Sequence, residues 1–489
     1  MPSVILADFM VSLVSKYLWV LLDKIMALAK ARHKVGLGLL GSGVVGEAIQ
    51  DIVFGDLKGQ AGDDLQLEIR KIYTRRPKEK KWFSSHPSLF TTQAEEVIDD
   101  PSVEIVVEVL GFQHEGELPI FRNYILRALE RGKSVVTSDK AVLARFGKEI
   151  WAAAKKSGRQ LRFEACVGGG IPIIRSLTQG FAVEEPEAVF GIVNGTCNYI
   201  LSEMEKSGKA YADALKEAQQ KGYAETNPAA DVSGSDAEAK LLLLSAVAFG
   251  LQLQPGTTWR KGIEEIHAVD FRYAGRTGSS TIKQLAVAKR NGDTVEVFVS
   301  PVLLSGENFL AGVDGATNAI CFKGKKSGGS RAERDCDYVL VGPGAGGGPT
   351  AVAVLGDVCE LARGEGRFAG LPSLVPEGTL KIQPAEEIEG SFYVRFIVKD
   401  RAGIVGDIGQ TFGRLQVNIS EIWQLRHSEE ELRALTQSYH LKENPREILP
   451  FVITLERATL RQIREALDSV RNRDYILVDP VWFPIWGTK

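Results

Sequence analysis

Val35-Gly-Leu-Gly-Leu-Leu-Gly41-Ser-Gly43-Val-Val-Gly46-Glu-Ala-Ile-Gln50 decides the architecture of the first third of the chain. Val35 to Leu40 is short, apolar and bounded by glycine, which predicts a buried strand. Glu47 to Val53 predicts a helix. Between them, Gly41-x-Gly43-x-x-Gly46 has the spacing of a dinucleotide loop, in the strand-then-helix context that gives the motif its meaning. Glycines there let the backbone approach a pyrophosphate at a helix N-terminus, where free N–H groups and the helix dipole favour an anion. On this reading Gly41, Ser42, Gly43, Val44, Val45 and Gly46 bind a cofactor. Without its flanks the same run is only a tight turn.

Outward from this loop, strands are predicted at Leu67 to Thr74, Val103 to Val109 and Ser134 to Thr137, with a helix from Leu118 to Arg131. Strands alternating with helices give a parallel sheet covered on both faces, an α/β Rossmann domain over residues 33–160. NAD binders end the second strand with an acid that holds the ribose 2′-hydroxyl. Here the run is Tyr73-Thr-Arg75-Arg76, followed by Lys78, Lys80 and Lys81. Two guanidiniums can pair with a 2′-phosphate, so Arg75 and Arg76 point to NADP, with NAD as the alternative. A solvated basic loop explains the same residues.

From about Leu161 the pattern changes. Strand-like runs (Ala188 to Val193, Val295 to Leu304) mix with long helices (Tyr211 to Lys221, Asp236 to Phe249), which predicts an α+β domain over 161–340. Gly342-Pro-Gly-Ala-Gly346-Gly-Gly348 precedes a helix, Thr350 to Ala362, and the segment 341–365 is expected to pack back on the first domain. Residues 366–389 read as a linker. In 390–489 strands are predicted at Ser391 to Val398, Asn418 to Gln424, Ala434 to Leu441, Phe451 to Leu455 and Tyr475 to Val481. Helices are predicted at Ile404 to Leu415 and Leu460 to Val470. The order approximates the β-α-β-β-α-β of a ferredoxin-like unit.

The 489 residues call for several domains. A net charge of −3 argues against a nucleic-acid partner, because phosphate binding needs a basic surface. The five cysteines, Cys166, Cys197, Cys321, Cys336 and Cys359, form no C-x-x-C pair, and their odd, scattered count fits a reducing cytoplasm. Residues 1–32 form an apolar extension. Lys16, Asp23 and Lys24 interrupt it, so a membrane span is not expected, and it lacks the charge order of a signal peptide. A helix packing on the body, a non-native start upstream of Met26 and a membrane-surface helix all remain open for it.

Asp236 and Lys240 stand four apart on a predicted helix and share a face, with Glu225 and Asp231 in the loop before it. Such a group can hold an ammonium and move a proton. From spacing alone, a solvated surface pair is the better reading.

The order of several blocks changes that balance. Val107-Glu-Val-Leu-Gly111 with Val135-Val-Thr-Ser138-Asp-Lys140-Ala resembles the homoserine dehydrogenase family. So do Phe163-Glu164-Ala-Cys-Val167-Gly-Gly169-Gly-Ile171-Pro172, Asn194-Gly-Thr196-Cys-Asn-Tyr199, and Gly222-Tyr-Ala-Glu225-Thr-Asn-Pro228-Ala-Ala-Asp231-Val-Ser-Gly234-Ser-Asp236-Ala-Glu-Ala-Lys240. The resemblance runs from about Lys34 to Arg363. Asp139 stands where the family has Asn, and Asn227 where it has an acid.

The resemblance implies a reversible NAD(P)-dependent conversion of L-homoserine to L-aspartate 4-semialdehyde, in threonine and methionine biosynthesis. It implies Lys240 as acid/base with Asp236 orienting it, and Lys140 near the reacting oxygen. Glu225, Asp231 and Thr196 would bind substrate, and Gly111, Ser138, Lys140 and Gly346 would join the cofactor contacts. A monovalent cation such as Na+ is implied at Glu164, Val167, Gly169 and Ile171. The last hundred residues resemble an ACT domain, through Val398-Lys-Asp400-Arg-Ala-Gly403-Ile404 and Asn418-Ile-Ser420. This implies an amino-acid effector, threonine first, and a homodimer or homotetramer. Removing residues 390–489 is then expected to spare the chemistry and abolish feedback. An inactive amino-acid sensor and a related dehydrogenase of different substrate remain open, and a homoserine-dependent cofactor assay separates them.

Overall fold

The computed structural model describes residues 33–56, 60–62, 64–111, 114–276, 280–325, 338–366, 368 and 370–487. The apolar extension 1–32 and Cys336 lie outside the described residues. Among the described residues no helix is long and apolar enough to cross a membrane, and Cys166, Cys197, Cys321 and Cys359 are free thiols.

The chain divides into two compact units. The first comprises the described residues up to Asp139, together with Ile150–Phe163 and Thr350–Gly370. Its main elements are β1 (His33–Leu40), α1 (Val44–Gln50), β2 (Leu65–Tyr73), β3 (Ile105–Glu108), α2 (Leu118–Glu130), β4 (Ser134–Thr137) and β5 (Leu161–Arg162). The strands lie in the order β2-β1-β3-β4-β5, all parallel. β1 turns its last six residues inward without alternation, as a strand buried on both faces must. Helix Gly347–Arg363 contributes its length from Thr350 onward to this unit, where Arg363 forks onto Asp64 at 2.7 and 3.0 Å.

The second unit comprises the described residues of Lys140–Glu149, Glu164–Pro349 and Leu371–Lys489. Its sheet has β6 (Pro186–Ile192), β7 (Thr281–Asn291), β8 (Thr294–Leu304), β9 (Thr317–Gly324) and β10 (Tyr338–Pro343), then β11 (Glu389–Lys399), β12 (Ile419–Trp423), β13 (Ile448–Thr459) and β14 (Ile476–Trp486). The strand order is β10-β9-β6-β7-β8-β14-β11-β13-β12. The last four are antiparallel, with helices Ile404–Arg414 and Leu460–Arg471 at two crossovers of a β-α-β-β-α-β arrangement and a further helix, Glu429–Ser438, inserted between β12 and β13.

Two sequence expectations change here. Ala434 to Leu441 is not a strand: Glu429–Ser438 is a helix. Ser428 and Glu431 form a reciprocal capping box, three acids sit at the positive end of the dipole, and Arg433 pairs with Glu429 one turn back at 2.5 Å. Nor is the stretch before Glu389 free of the body. Lys381–Ile382 pairs in parallel with Thr294–Val295, and Ile388 is buried. β14 also continues the sheet beside β8, Leu303 against Ile485, so residues from both sides of that stretch share one core.

Candidate active site

In the first unit the glycine loop shows why each glycine is needed. Gly41 has φ +118°, and a Cβ on it would stand 2.6 Å from the Val109 carbonyl oxygen; one on Gly46 would stand 2.3 Å from that of Gly41. These two let β1, the loop and the helix touch backbone to backbone. Gly43 meets nothing within 4 Å, so its face is open to a ligand. Gln50, wholly buried, donates to the Ser42 hydroxyl and the Gly46 carbonyl, both at 2.9 Å, and so fixes the loop from beneath. Arg75 and Arg76 stand just past the end of β2, in weak exposed pairs with Glu117 at 3.4 Å and Glu79 at 3.5 Å. Ser138 donates its N–H to the Glu108 carbonyl at 3.2 Å, and Gly111 is left-handed at φ +63°. Gly346, also left-handed, belongs to the second unit.

In the second unit the residues expected to react converge on one carboxylate. Helix Ser235–Phe249 starts after the left-handed Gly234 and is apolar nearly all round, so its first two turns present Asp236 and Lys240 from a fixed, buried rod. Asp236 Oδ2 meets Lys240 Nζ at 2.7 Å, and its Oδ1 meets Lys140 Nζ at 3.2 Å. Lys240 also donates to the Val193 carbonyl at 2.6 Å. Burial would push the Asp236 carboxyl up. The Lys240 and Lys140 charges, with hydrogen bonds from Lys240 and Asn194, outweigh it and hold the group well below the usual carboxylate range.

Asn194 is the residue that motif matching quoted without a role. Its amide donates to Asp231 Oδ1 and Asp236 Oδ2, both at 2.8 Å, while its carbonyl oxygen caps helix Gly195–Ser207 by accepting from Cys197 N–H at 2.8 Å. The signal was there to read: Asn before a helix start is a preferred N-cap. Asp231 carries a raised carboxyl, through burial first and the Asp236 charge second, against Asn194, Lys240 and Lys140. Thr196 donates its hydroxyl to the Tyr223 carbonyl at 2.6 Å. Glu225 lies exposed on the preceding turn, and among the described residues its carboxylate makes no ion pair with this cluster.

At the proposed cation loop, Gly168 and Gly169 are left-handed and Gly169 rests on the Gly344 backbone. Glu164 turns both carboxylate oxygens to the backbone N–H groups of Ile174 and Arg175, each at 2.8 Å. Its side chain therefore caps the short helix Ile173–Arg175.

A parallel sheet with a glycine loop in one unit, and two lysines on a buried carboxylate in the other, define a nicotinamide-dependent oxidoreductase of the α/β class. The homoserine dehydrogenase NAD binding domain family matches residues 36–164, and the homoserine dehydrogenase family matches 172–359. The homoserine dehydrogenase of Synechocystis sp. is 35% identical over 401 residues, 80% of this chain and 89% of that protein. That of Mycobacterium bovis is 38% identical over 401 residues, 80% and 86% of the two chains. The crystal structure of a homoserine dehydrogenase from Thiobacillus denitrificans superposes with TM-score 0.79 at 30% identity, covering 93% of this chain and 99% of that one. A hyperthermophilic archaeal homoserine dehydrogenase in complex with NADPH gives TM-score 0.56 at 26% identity, covering 69% and 100%. The chain belongs to the homoserine dehydrogenase family, and its activity is that of an oxidoreductase of this kind.

Proposed function

We propose that Lys240 is the acid/base of the interconversion of L-homoserine and L-aspartate 4-semialdehyde, with Asp236 as its anchor and Lys140 as the second cation at the reacting oxygen. The observation that carries this is the single Asp236 carboxylate meeting both ammonium groups. A bound nicotinamide supplies the hydride acceptor or donor. Oxidation of the alcohol requires a base for the hydroxyl proton, and reduction requires an acid for the same oxygen. Lys240 serves each direction, taking the proton in oxidation and returning it in reduction, and the Asp236 carboxylate holds its Nζ in place. Lys140 polarises the oxygen from its own side of Asp236. Asp231, Glu225 and Thr196 receive the substrate's amino group, and an arriving ammonium restores the charge that burial disfavours on Asp231. Homoserine-dependent cofactor reduction by Lys240→Met and Lys140→Met, against the unaltered chain, tests these roles.

NADP is the proposed cofactor, supported by Arg75 and Arg76 at the strand end and by the NADPH-bound archaeal relative. Backbone oxygens of Glu164, Val167, Gly169 and Ile171 are proposed to hold a monovalent cation. The antiparallel β-α-β-β-α-β strands of residues 389–486 support the ACT assignment and an amino-acid effector, threonine first. The reading places the enzyme in the cytoplasm as a homodimer or homotetramer.

A further inference from the structure

Glu108 ends β3 at the carboxyl edge of the parallel sheet and is wholly buried. Its Oε1 accepts from Leu110 N–H at 2.9 Å and its Oε2 from the Thr137 hydroxyl at 2.5 Å. Thr137 Oγ1 in turn accepts from Asp139 N–H at 2.9 Å. One side chain therefore ties the loop after β3 to the loop after β4. The first of these is the seat of the glycine loop, since a Cβ on Gly41 would stand 3.1 Å from the Leu110 Cα. In open α/β sheets these strand ends receive the ligand.

A carboxylate this deep is costly to ionise without a cation beside it. The strands paired with β3 set Leu40 and Thr137 opposite Glu108, and the charged group facing it is Asp139, itself buried. Burial, reinforced by the Asp139 charge, pushes the Glu108 carboxyl up to about 8 against its two hydrogen bonds.

We propose that Glu108 and Asp139 share one proton at neutral pH, and that this proton makes Glu108 a positioning residue for the cofactor loops. Losing it sets two negative charges beneath loops that receive a dinucleotide's phosphates, so cofactor affinity falls as pH rises through the loss. The proposal rests on the glycine loop being the dinucleotide site.

The test is the Kd of NADPH and of NADH by fluorescence titration without substrate, from about pH 6.5 to about pH 9.5, on the full chain and its Glu108→Gln and Asp139→Asn variants. NADH carries no 2′-phosphate, so a transition common to both cofactors does not come from that group. The unaltered chain should lose about tenfold in affinity for both, the linkage of one pKa unit between pair and ligand. Glu108→Gln should give a flat profile, and Asp139→Asn, which leaves the burial in place, should move the transition to lower pH. A flat profile in the unaltered chain, or a transition that survives in Glu108→Gln, overturns the proposal. The proton is read on cofactor-free protein as the infrared carbonyl band of a buried carboxylic acid, which Glu108→Gln removes. Absence of that band overturns the proposal even where cofactor binds. Its presence with neither cofactor bound overturns the dinucleotide site and the coupling with it.

Discussion

The carboxylate of Asp270 meets the guanidinium of Arg395 at 2.5 Å, with neither side chain reaching solvent. Asp270 lies in the first turn of helix Ala268–Ala274 and accepts from His267 N–H at 2.8 Å and the Tyr393 hydroxyl at 2.7 Å. Arg395 and Tyr393 both belong to β11, and Arg395 also donates to the Tyr439 hydroxyl at 2.6 Å. The knot joins the two sides of residue 365, with Asp270 before it and Tyr393, Arg395 and Tyr439 after it. Removing one member of such a pair leaves an uncompensated buried charge, which costs on the order of 3–5 kcal/mol. Arg395→Leu should therefore lower the urea midpoint strongly, and Asp270→Asn combined with it should recover part of the loss. Equal midpoints for Arg395→Leu and the unaltered chain would remove the pair from the stability argument.

The same contacts reverse the expected outcome of deleting residues 390–489. The deletion strips β14 from β8 and uncovers one shared core, including Ile282, Leu303 and Tyr273, while leaving Asp270 without Arg395. The truncated chain should be insoluble or inactive rather than active and unregulated. Soluble expression with near-normal homoserine-dependent turnover would show that the body folds alone. Loss of effector response is then better sought by substitutions within 390–489 that keep the core.

Lys240→Met should cost on the order of a hundredfold or more in kcat, the scale of a positioned acid/base. It leaves Asp236 held by Lys140 and the Asn194 amide, so substrate KM should move less than kcat. Lys140→Met removes the more exposed of the two cations and should lower kcat while preserving the fold, read as an unchanged melting temperature. Near-normal kcat in the purified Lys240 variant would remove it from the mechanism.

Much of this was legible in the chain, and the rest failed for identifiable reasons. The strand, the loop and the helix from Val35 onward are local in sequence, and so is the four-residue spacing of Asp236 and Lys240. What joins Lys140 to Asp236 is not local: the two lie 3.2 Å apart across almost a hundred intervening residues, and no periodicity encodes that. Glu108 read as one more position in an apolar strand because a buried acid and a buried valine give the same pattern. Ser428-Glu-Glu-Glu431 did carry its helix signal, and the β-like run after it masked it. The continuity of β8 with β14 was invisible because edge pairing between distant strands leaves no trace in either one.

Arg75 and Arg76 hold their carboxylate partners only in exposed pairs, which are worth about 0–1 kcal/mol. Release onto a 2′-phosphate should therefore be inexpensive, and each charged contact there is worth roughly 1.5–3 kcal/mol. The Arg75→Ala/Arg76→Ala double variant should raise KM for NADPH by about tenfold or more and leave KM for NADH nearly unchanged. Preference of the unaltered chain for NADH would overturn the NADP assignment.

Asn194 makes the most demanding case, because it has two separable jobs. Its carbonyl oxygen caps helix Gly195–Ser207, and its amide bridges Asp231 and Asp236. Loss of an N-cap costs about 1 kcal/mol in stability. Ser is also a good N-cap but donates one hydrogen bond, so it cannot span two carboxylates. Asn194→Ala should lose both stability and activity, whereas Asn194→Ser should recover most of the melting temperature and little of the kcat. The pH dependence carries a sign. The Asp231 carboxyl is raised by burial and by the Asp236 charge, and the Asn194 bond opposes that rise. Without the amide it rises further, so the charged form that binds an ammonium appears only at higher pH. The acidic limb of kcat/KM for homoserine should therefore move to higher pH in both variants, while the alkaline limb stays. An acidic limb that does not move in Asn194→Ser would mean that Asp231 does not depend on Asn194 or does not bind the substrate's amino group.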